Sequence, residues 1–241
     1  NPFLPFLEKH SPARHHSSAA HETSLLSVET DDVGVFFRHF DGFFLYGFLL
    51  AWAEEDHRPL FDPTLRDTTE RDYKWLDALW RRNLYKHKKE RVVAKLFSLS
   101  PRLPTFLNHH EDARILYMVR DPVDVIPSGM SLVTGVLDKM FGFWDMPQAK
   151  RDRYLGRLYD AFVELFERFQ QDWVSGAIDK EKVLIVRYDQ MMKNFDGLMD
   201  EMIPFLDIDA SPELLAEIKE TADKQRAYVS KHKYDLDKFG L

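Results

Sequence analysis

Apolar and polar residues follow two patterns along the chain, and each pattern predicts a different kind of element. Three short apolar runs, at 91–96, 113–119 and 183–187, predict β-strands. Elsewhere apolar residues recur every three or four positions, which predicts amphipathic helices. The predicted helices cover residues 31–52, 71–89, 101–109, 122–137, 147–174, 189–206 and 211–226.

The order of these elements indicates the fold class. Continuous apolar strands that are separated by helices predict parallel strands, buried on both faces. The 241 residues contain no internal repeat, no low-complexity segment and no linker, and their number suffices for one α/β core. We therefore expect a single helix-rich α/β domain over residues 1–241.

The most apolar stretch of the chain is 42–53, GFFLYGFLLAWA. It is about half as long as the roughly 20 residues that a membrane-spanning helix needs, so no transmembrane segment is expected. We interpret the stretch as a buried core helix. A wall of a ligand pocket and a membrane-facing patch are the alternatives.

Composition narrows the classes of function. The formal net charge of -7 argues against a general nucleic-acid or anionic-membrane binder. The absence of cysteine excludes disulfides, thiolate chemistry and cysteine-ligated zinc. The histidines show no helical metal-ligand spacing, so we expect no metal. Because the sequence begins without a signal peptide, we expect a cytoplasmic protein.

The junction after the second predicted strand carries the most chemical information. Arg120 follows the strand, Asp121 suits the N-cap of the next helix, and Pro122 suits its first position. Ligands of open α/β sheets bind at the carboxyl ends of strands, where a helix N-terminus offers free N–H groups to an anion. Arg120 adds a permanent charge, and Ser128 can offer a hydroxyl. In the alternative, Arg120 pairs with Asp121 or Asp124 and Ser128 simply packs.

This junction resembles the 3′-phosphate-binding segment of the sulfotransferase superfamily, whose members use 3′-phosphoadenosine 5′-phosphosulfate (PAPS) as the sulfate donor. In that family an apolar strand precedes Arg-Asp-Pro or Arg-Asn-Pro, and a serine follows eight residues after the arginine; Arg120 and Ser128 have this spacing. The resemblance implies a P-loop NTPase-like parallel sheet flanked by helices. It also implies PAPS as the co-substrate, with its 3′-phosphate bound by Arg120 and Ser128. The bacterial-type and tyrosylprotein-type enzymes are the most similar branches.

Two further stretches carry the same resemblance. Residues 182–192, KVLIVRYDQMM, are similar to a later strand of the family, which implies that Tyr188 lies near the adenine of the donor. A core tyrosine at a strand end is the alternative. The tail at 228–241 is similar to the C-terminal segment of bacterial-type enzymes, which implies a phosphate contact for Lys231. A solvated basic turn is the alternative there.

Sulfuryl transfer needs a cation at the leaving oxygen and a base for the acceptor hydroxyl. Lys95, at the end of the first predicted strand, is similar to the lysine that stabilises the leaving oxygen in tyrosylprotein-type enzymes; a lysine that reaches solvent at a sheet edge is the alternative. Glu22, in the stretch HETS, resembles their acceptor-deprotonating glutamate. The neighbouring His15, His16 and His21 are rival bases, and a surface or helix-capping role is the alternative for Glu22.

One signature of the superfamily is missing from the 241 residues. The phosphate-sulfate loop, of the type Pro-Arg-Ser-Gly-Thr-Thr, has no counterpart in the sequence. In tyrosylprotein-type enzymes this loop lies shortly before the catalytic glutamate. If Glu22 is that glutamate, the loop is expected immediately before Asn1. The chain as given would then lack the first strand–helix unit and turn over poorly.

Together these features predict a sulfotransferase that acts on a hydroxyl or amine of a small molecule, glycan or lipid, with no nucleic-acid partner. The aromatic-rich segment 36–52 is the expected wall of the acceptor pocket. Two alternatives come from other classes of protein. One is a nucleotide-binding module without catalysis, and the other is a fragment of a P-loop-like nucleotide kinase.

Overall fold

The computed structural model describes residues 3–10, 37–50, 52–228 and 237–240. Its α-helices are α1 (Leu4–His10), α2 (Phe43–Leu50), α3 (Thr69–His87), α4 (Leu103–His109), α5 (Pro122–Phe141), α6 (Gln148–Ser175), α7 (Tyr188–Lys193), α8 (Phe195–Phe205) and α9 (Pro212–Ala227). Short 3-10 helices occupy Phe37–His39, Arg58–Leu60, Phe97–Arg102, Phe143–Asp145, Lys180–Lys182 and Asp237–Phe239. The helices predicted from the sequence are confirmed with shifted ends. Of the first, predicted over 31–52, the described residues form an α-helix only over Phe43–Leu50, because Phe40 and Gly42 adopt positive φ angles. The segment predicted at 189–206 forms two helices, α7 and α8.

Two strands, β1 (Ile115–Val119) and β2 (Val183–Arg187), pair in parallel. Ile115 lies opposite Val183 and Val119 lies opposite Arg187, so the two strands end at the same edge. The prediction of a helix-rich α/β fold with a parallel sheet is confirmed. Burial on both faces is wrong for β1, because Met118 is 54 % exposed.

The first predicted strand, at 91–96, is wrong. These residues form neither helix nor strand, and the Val93 side chain is fully exposed. Two adjacent valines favour a strand only where a partner strand and apolar neighbours cover them. The aromatic contacts are made by the residue after the run. The ring of Phe97 lies 5.6 Å from that of Phe43 and 5.5 Å from that of Phe44.

The described residues divide into two compact units. The first unit comprises the described residues up to 103 together with 128–169, and the second comprises 104–127 and those from 170 onwards. That the whole chain is one domain stays a prediction.

The first unit has an aromatic core around α2. The ring of Phe43 lies 5.3 Å from that of Phe61 and 5.0 Å from that of Phe162 on α6. Tyr46 and Leu50, on the same helix as Phe43, are also buried. The interpretation of the most apolar stretch as a core helix is therefore confirmed.

Two buried aspartates of the first unit are surrounded by arginines. Asp72, in the first turn of α3, accepts hydrogen bonds from Arg102 (Nη1 to Oδ2, 2.8 Å) and from Arg71 (Nε to Oδ1, 2.9 Å). Asp41 accepts hydrogen bonds from Arg71 at 2.5 Å and from Arg66. Both carboxylates are thus compensated, as a buried charge requires. The network fixes the start of α3 to the segments at 41 and 102.

In the second unit α8 and α9 bury Leu198 and Ala222. Both helices begin with a side-chain cap that accepts a hydrogen bond from a backbone N–H of the first turn. Asn194 caps α8 and Ser211 caps α9, whose first residue is Pro212. The two caps define where α8 and α9 begin.

Candidate functional site

The carboxyl end of the sheet brings together two residues that the sequence placed in separate motifs. Val119 and Arg187 are paired in the parallel register, so Arg120 and Tyr188, each the next residue, lie side by side. The guanidinium carbon of Arg120 is 4.4 Å from the centroid of the Tyr188 ring. This contact is a cation–π interaction between two residues predicted to bind the same nucleotide.

Arg120 also forms an ion pair with Asp124, in the first turn of α5. Both Nε and Nη2 of Arg120 donate to Oδ2 of Asp124, each at 3.1 Å. The pairing with Asp124 that the sequence allowed as an alternative is therefore present. Asp121, the other acidic neighbour, serves as the cap of α5 instead.

The ion pair leaves part of the guanidinium available. Nε and Nη2 form one edge of the planar group, and Nη1 and Nη2 form its end-on edge. Within the part of the chain that the structure describes, Nη1 of Arg120 donates to no protein acceptor. Two parallel N–H groups on an end-on edge match two oxygens of a phosphate.

The start of α5 is capped as the sequence predicts, with a consequence for anion binding. Oδ1 of Asp121 accepts a hydrogen bond from the backbone N–H of Val123 at 3.0 Å, and its backbone oxygen accepts from those of Asp124 and Val125. Pro122 has no N–H. The free N–H groups expected at this helix N-terminus are therefore already used, which leaves Arg120 as the candidate for anion binding at this edge.

Ser128 lies on α5, eight residues after Arg120 in the sequence, and is half-buried. It belongs to the first compact unit, whereas Arg120 and Tyr188 belong to the second. The structure thus places Arg120 and Tyr188 in contact, and a phosphate contact of Ser128 stays a prediction.

Lys95 does not have the surroundings that the sequence predicted. It lies in the irregular segment 91–96 and is exposed, rather than at the end of a buried strand. The expectation that its ammonium is enclosed by apolar strand neighbours is therefore wrong. Its catalytic role stays a prediction that does not depend on burial.

The remaining predicted residues lie outside the described part of the chain. They are Glu22, the rival bases His15, His16 and His21, and Lys231. Their roles stay predictions from the resemblance.

A second arginine–aspartate pair at the same edge was not singled out in the sequence. Arg187, the last residue of β2, donates from Nε and Nη2 to the two oxygens of Asp189 at 3.1 and 3.0 Å. These hydrogen bonds lower the pKa of Asp189 below its usual value. The motif Arg-Tyr-Asp is present in the sequence. Its two opposite charges, two residues apart, could have indicated this ion pair. Arg187 thus uses the same two nitrogens as Arg120 does, and Arg120 is the better candidate for binding a nucleotide because its guanidinium lies against the Tyr188 ring.

None of the described helices combines the length and the apolar character that crossing a membrane requires. A comparison with curated proteins found no match, and a comparison with solved structures found none either. The profile of one protein family does match, over residues 12–212, and its description is "Sulfotransferase family". The match covers most of the chain, including β1, β2 and both Arg120 and Tyr188. The chain therefore belongs to the sulfotransferase family.

Proposed function

We propose that this protein transfers the sulfuryl group of PAPS to a hydroxyl or amine acceptor. Membership of the sulfotransferase family supports sulfuryl transfer in general. The observation that carries the choice of donor is the Arg120–Tyr188 pair at the carboxyl end of the parallel sheet. An aromatic ring beside a partly available guanidinium suits a ligand that combines a base with a phosphate.

The 3′-phosphate distinguishes PAPS from ordinary adenine nucleotides, so its binding group defines the donor. Arg120 suits this role because its charge is permanent and its end-on edge can donate two parallel hydrogen bonds. Tyr188 offers a ring near which the adenine can pack. Ser128 and Lys231 complete the proposed phosphate contacts.

The chemical step needs charge stabilisation and a proton acceptor. When bound, the donor supplies the sulfuryl group and a nucleotide leaving oxygen on which negative charge develops. Lys95 is the proposed cation for that oxygen, and a long exposed side chain can reach a ligand without losing its hydration beforehand. Glu22 is the proposed base for the acceptor, with His15, His16 and His21 as the rivals.

The acceptor class is inferred from the exposed side chains of one segment. The segment proposed as the acceptor wall, 36–52, places Phe43, Tyr46 and Leu50 in the core of the first unit. Among its described residues, Phe40, Leu49 and Trp52 are large apolar side chains that are exposed. These three can contact an acceptor, and they favour one with an apolar face.

The decisive experiment compares the binding of adenosine 3′,5′-bisphosphate and AMP by isothermal titration calorimetry. We expect the bisphosphate to bind at least about tenfold more tightly, because a charged hydrogen bond contributes about 1.5–3 kcal/mol. Arg120→Ala is expected to remove this preference.

Arg187→Ala is the matched control, because it deletes an arginine with the same kind of aspartate pairing from the same edge and leaves the Arg120–Tyr188 contact in place. It should leave the preference within about twofold of the wild-type value, a change of about 0.4 kcal/mol. Equal affinity of the wild-type chain for the two nucleotides would refute the 3′-phosphate site and, with it, PAPS as the donor.

A further inference from the structure

Asp124 restrains Arg120 in a way that selects one edge of the guanidinium. A single carboxylate oxygen, Oδ2, accepts from both Nε and Nη2. The restraint therefore uses the side edge and leaves Nη1 on the end-on edge. A contact with the end-on edge would instead have occupied the one edge on which two parallel N–H groups remain for a phosphate.

The backbone that carries Asp124 is well fixed. Its N–H donates to the backbone oxygen of Asp121 at 2.9 Å, and the ring of Pro122 fixes the φ angle of the first helical residue. On the other side of Arg120, Tyr188 is the first residue of α7 and directly follows β2. The guanidinium is thus held between the first turn of α5 and the start of α7.

We propose that Asp124 is a positioning residue that presents the end-on edge of Arg120 to the 3′-phosphate of the nucleotide. This inference rests on the proposed function, because it takes Arg120 as the phosphate-binding group. Asp124 itself touches no ligand in this arrangement. It reduces the number of side-chain conformations that Arg120 must lose when the phosphate binds.

The charge of Asp124 acts in the opposite direction, because a carboxylate near a phosphate repels it. The Asp124 side chain is 51 % exposed, so water and salt screen this repulsion. The hydrogen-bond restraint on Arg120 is local and is not weakened in the same way. Positioning is therefore expected to outweigh repulsion.

Two substitutions separate positioning from charge. Asp124→Ala removes both the restraint and the charge, whereas Asp124→Asn removes the charge but keeps an amide oxygen that can accept the same two hydrogen bonds. Asp189→Asn is the control for charge, because it removes a negative charge from the same edge of the sheet and keeps an amide oxygen for Arg187. Thermal unfolding of each variant shows that it is folded before titration.

The readout is the preference for adenosine 3′,5′-bisphosphate over AMP, measured by calorimetry on the full chain. We expect Asp124→Ala to reduce the wild-type preference roughly three- to tenfold, the effect of freeing one long side chain. Asp124→Asn and Asp189→Asn should each keep the preference within about twofold of wild type.

The other outcomes overturn the inference in distinguishable ways. If Asp124→Ala keeps the wild-type preference, Asp124 does not position Arg120, and the proposed function stands. If both Asp124 variants bind the bisphosphate more tightly than the wild type, Asp124 acts as a repelling charge and not as a positioning group. A wild-type chain with no preference overturns the proposed function, and the inference fails with it.

Discussion

Arg102 in the first unit and Arg120 in the second unit each pair with an aspartate, but the two pairs differ in exposure and in saturation. Arg102 and Asp72 are 8 % and 2 % exposed. The carboxylate of Asp72 also accepts hydrogen bonds from Thr68 and Arg71. The side chain of Arg120 is 31 % exposed, and one oxygen of Asp124 receives both of its hydrogen bonds.

This difference separates an arginine that holds the structure from one that can bind a ligand. When one partner of a buried pair is removed, the other remains as an uncompensated charge, so the folded state depends on both. A partly exposed pair contributes little to stability because water replaces the lost partner. Arg120 therefore offers donors to a ligand at a small cost to the fold, whereas Arg102 is buried and its pairing with Asp72 is required by the fold.

The sharpest test substitutes the two arginines in the same way. Arg102→Met is expected to lower the free energy of unfolding by about 3 kcal/mol or more, because Asp72 stays buried with one counter-charge fewer. Arg120→Met should lower it by no more than about 1 kcal/mol. Urea denaturation measures both values. Similar losses for the two variants would show that burial does not distinguish these arginines.

Lys95 tests whether an exposed side chain of the first unit, unlike the buried Arg102, takes part in catalysis. Lys95→Ala in a catalytically competent protein is expected to lower kcat by about 100- to 1,000-fold, the usual effect of losing one group that stabilises developing charge. Donor binding should change far less. Turnover is measured with sulfate-labelled PAPS and a panel of hydroxyl acceptors.

Lys89→Ala is the control for Lys95→Ala, since Lys89 is an exposed lysine in the same part of the chain. It should leave kcat unchanged. If Lys95→Ala also leaves kcat unchanged, Lys95 is not part of the mechanism.

Close helix packing in the first unit gives the next smaller effect. A Cβ atom on Gly129 of α5 would lie 2.5 Å from the Phe162 ring of α6. Gly129→Ala is therefore expected to lower the free energy of unfolding by about 1–3 kcal/mol, measured by urea denaturation. Gly156→Ala is the control, because a Cβ there meets nothing within 4 Å. Alanine at 156 should raise stability by about 0.5–1 kcal/mol, and equal effects at both positions would contradict the close contact.

Helices and strands that two sequence features indicated together could be predicted from the sequence. The apolar run of β2 and the Asp121-Pro122 start of α5 both appear where they were predicted. The segment 91–96 had only the signal of adjacent valines, and propensity alone does not supply a partner strand. The missing partner is a tertiary property, so the pattern could not reveal it.

The candidate site was predictable only in outline. That Arg120 and Tyr188 lie side by side follows from parallel strands that end at one edge. Asp124 pairs with the side edge of Arg120, and Asp121 accepts from the helix N–H groups. Side-chain rotamers decide this division, and a sequence pattern does not fix rotamers. The residue spacing allowed both aspartates as partners.

The smallest expected effect concerns the pH dependence that buried Asp72 gives to stability. Burial raises the pKa of Asp72, but hydrogen bonds from Thr68, Arg102 and Arg71 outweigh it, and the net pKa lies below the usual 3.8. A depressed pKa contributes stability that is complete above the unfolded-state value and is lost as the pH falls through the folded-state value.

The free energy of unfolding should therefore decrease as the pH falls below about 4, and Asp72→Asn should make that decrease shallower. Asp62 limits how far the substitution reduces this pH dependence. Burial raises its pKa, hydrogen bonds from Thr64 and Arg168 lower it overall, and it keeps a similar dependence in both proteins. Urea denaturation at several pH values between about 5 and 2.5 gives the two slopes. Identical slopes for the two proteins would mean that the arginines do not hold Asp72 as a carboxylate. The buried Arg102–Asp72 pair would then contribute no more to stability than the partly exposed Arg120–Asp124 pair.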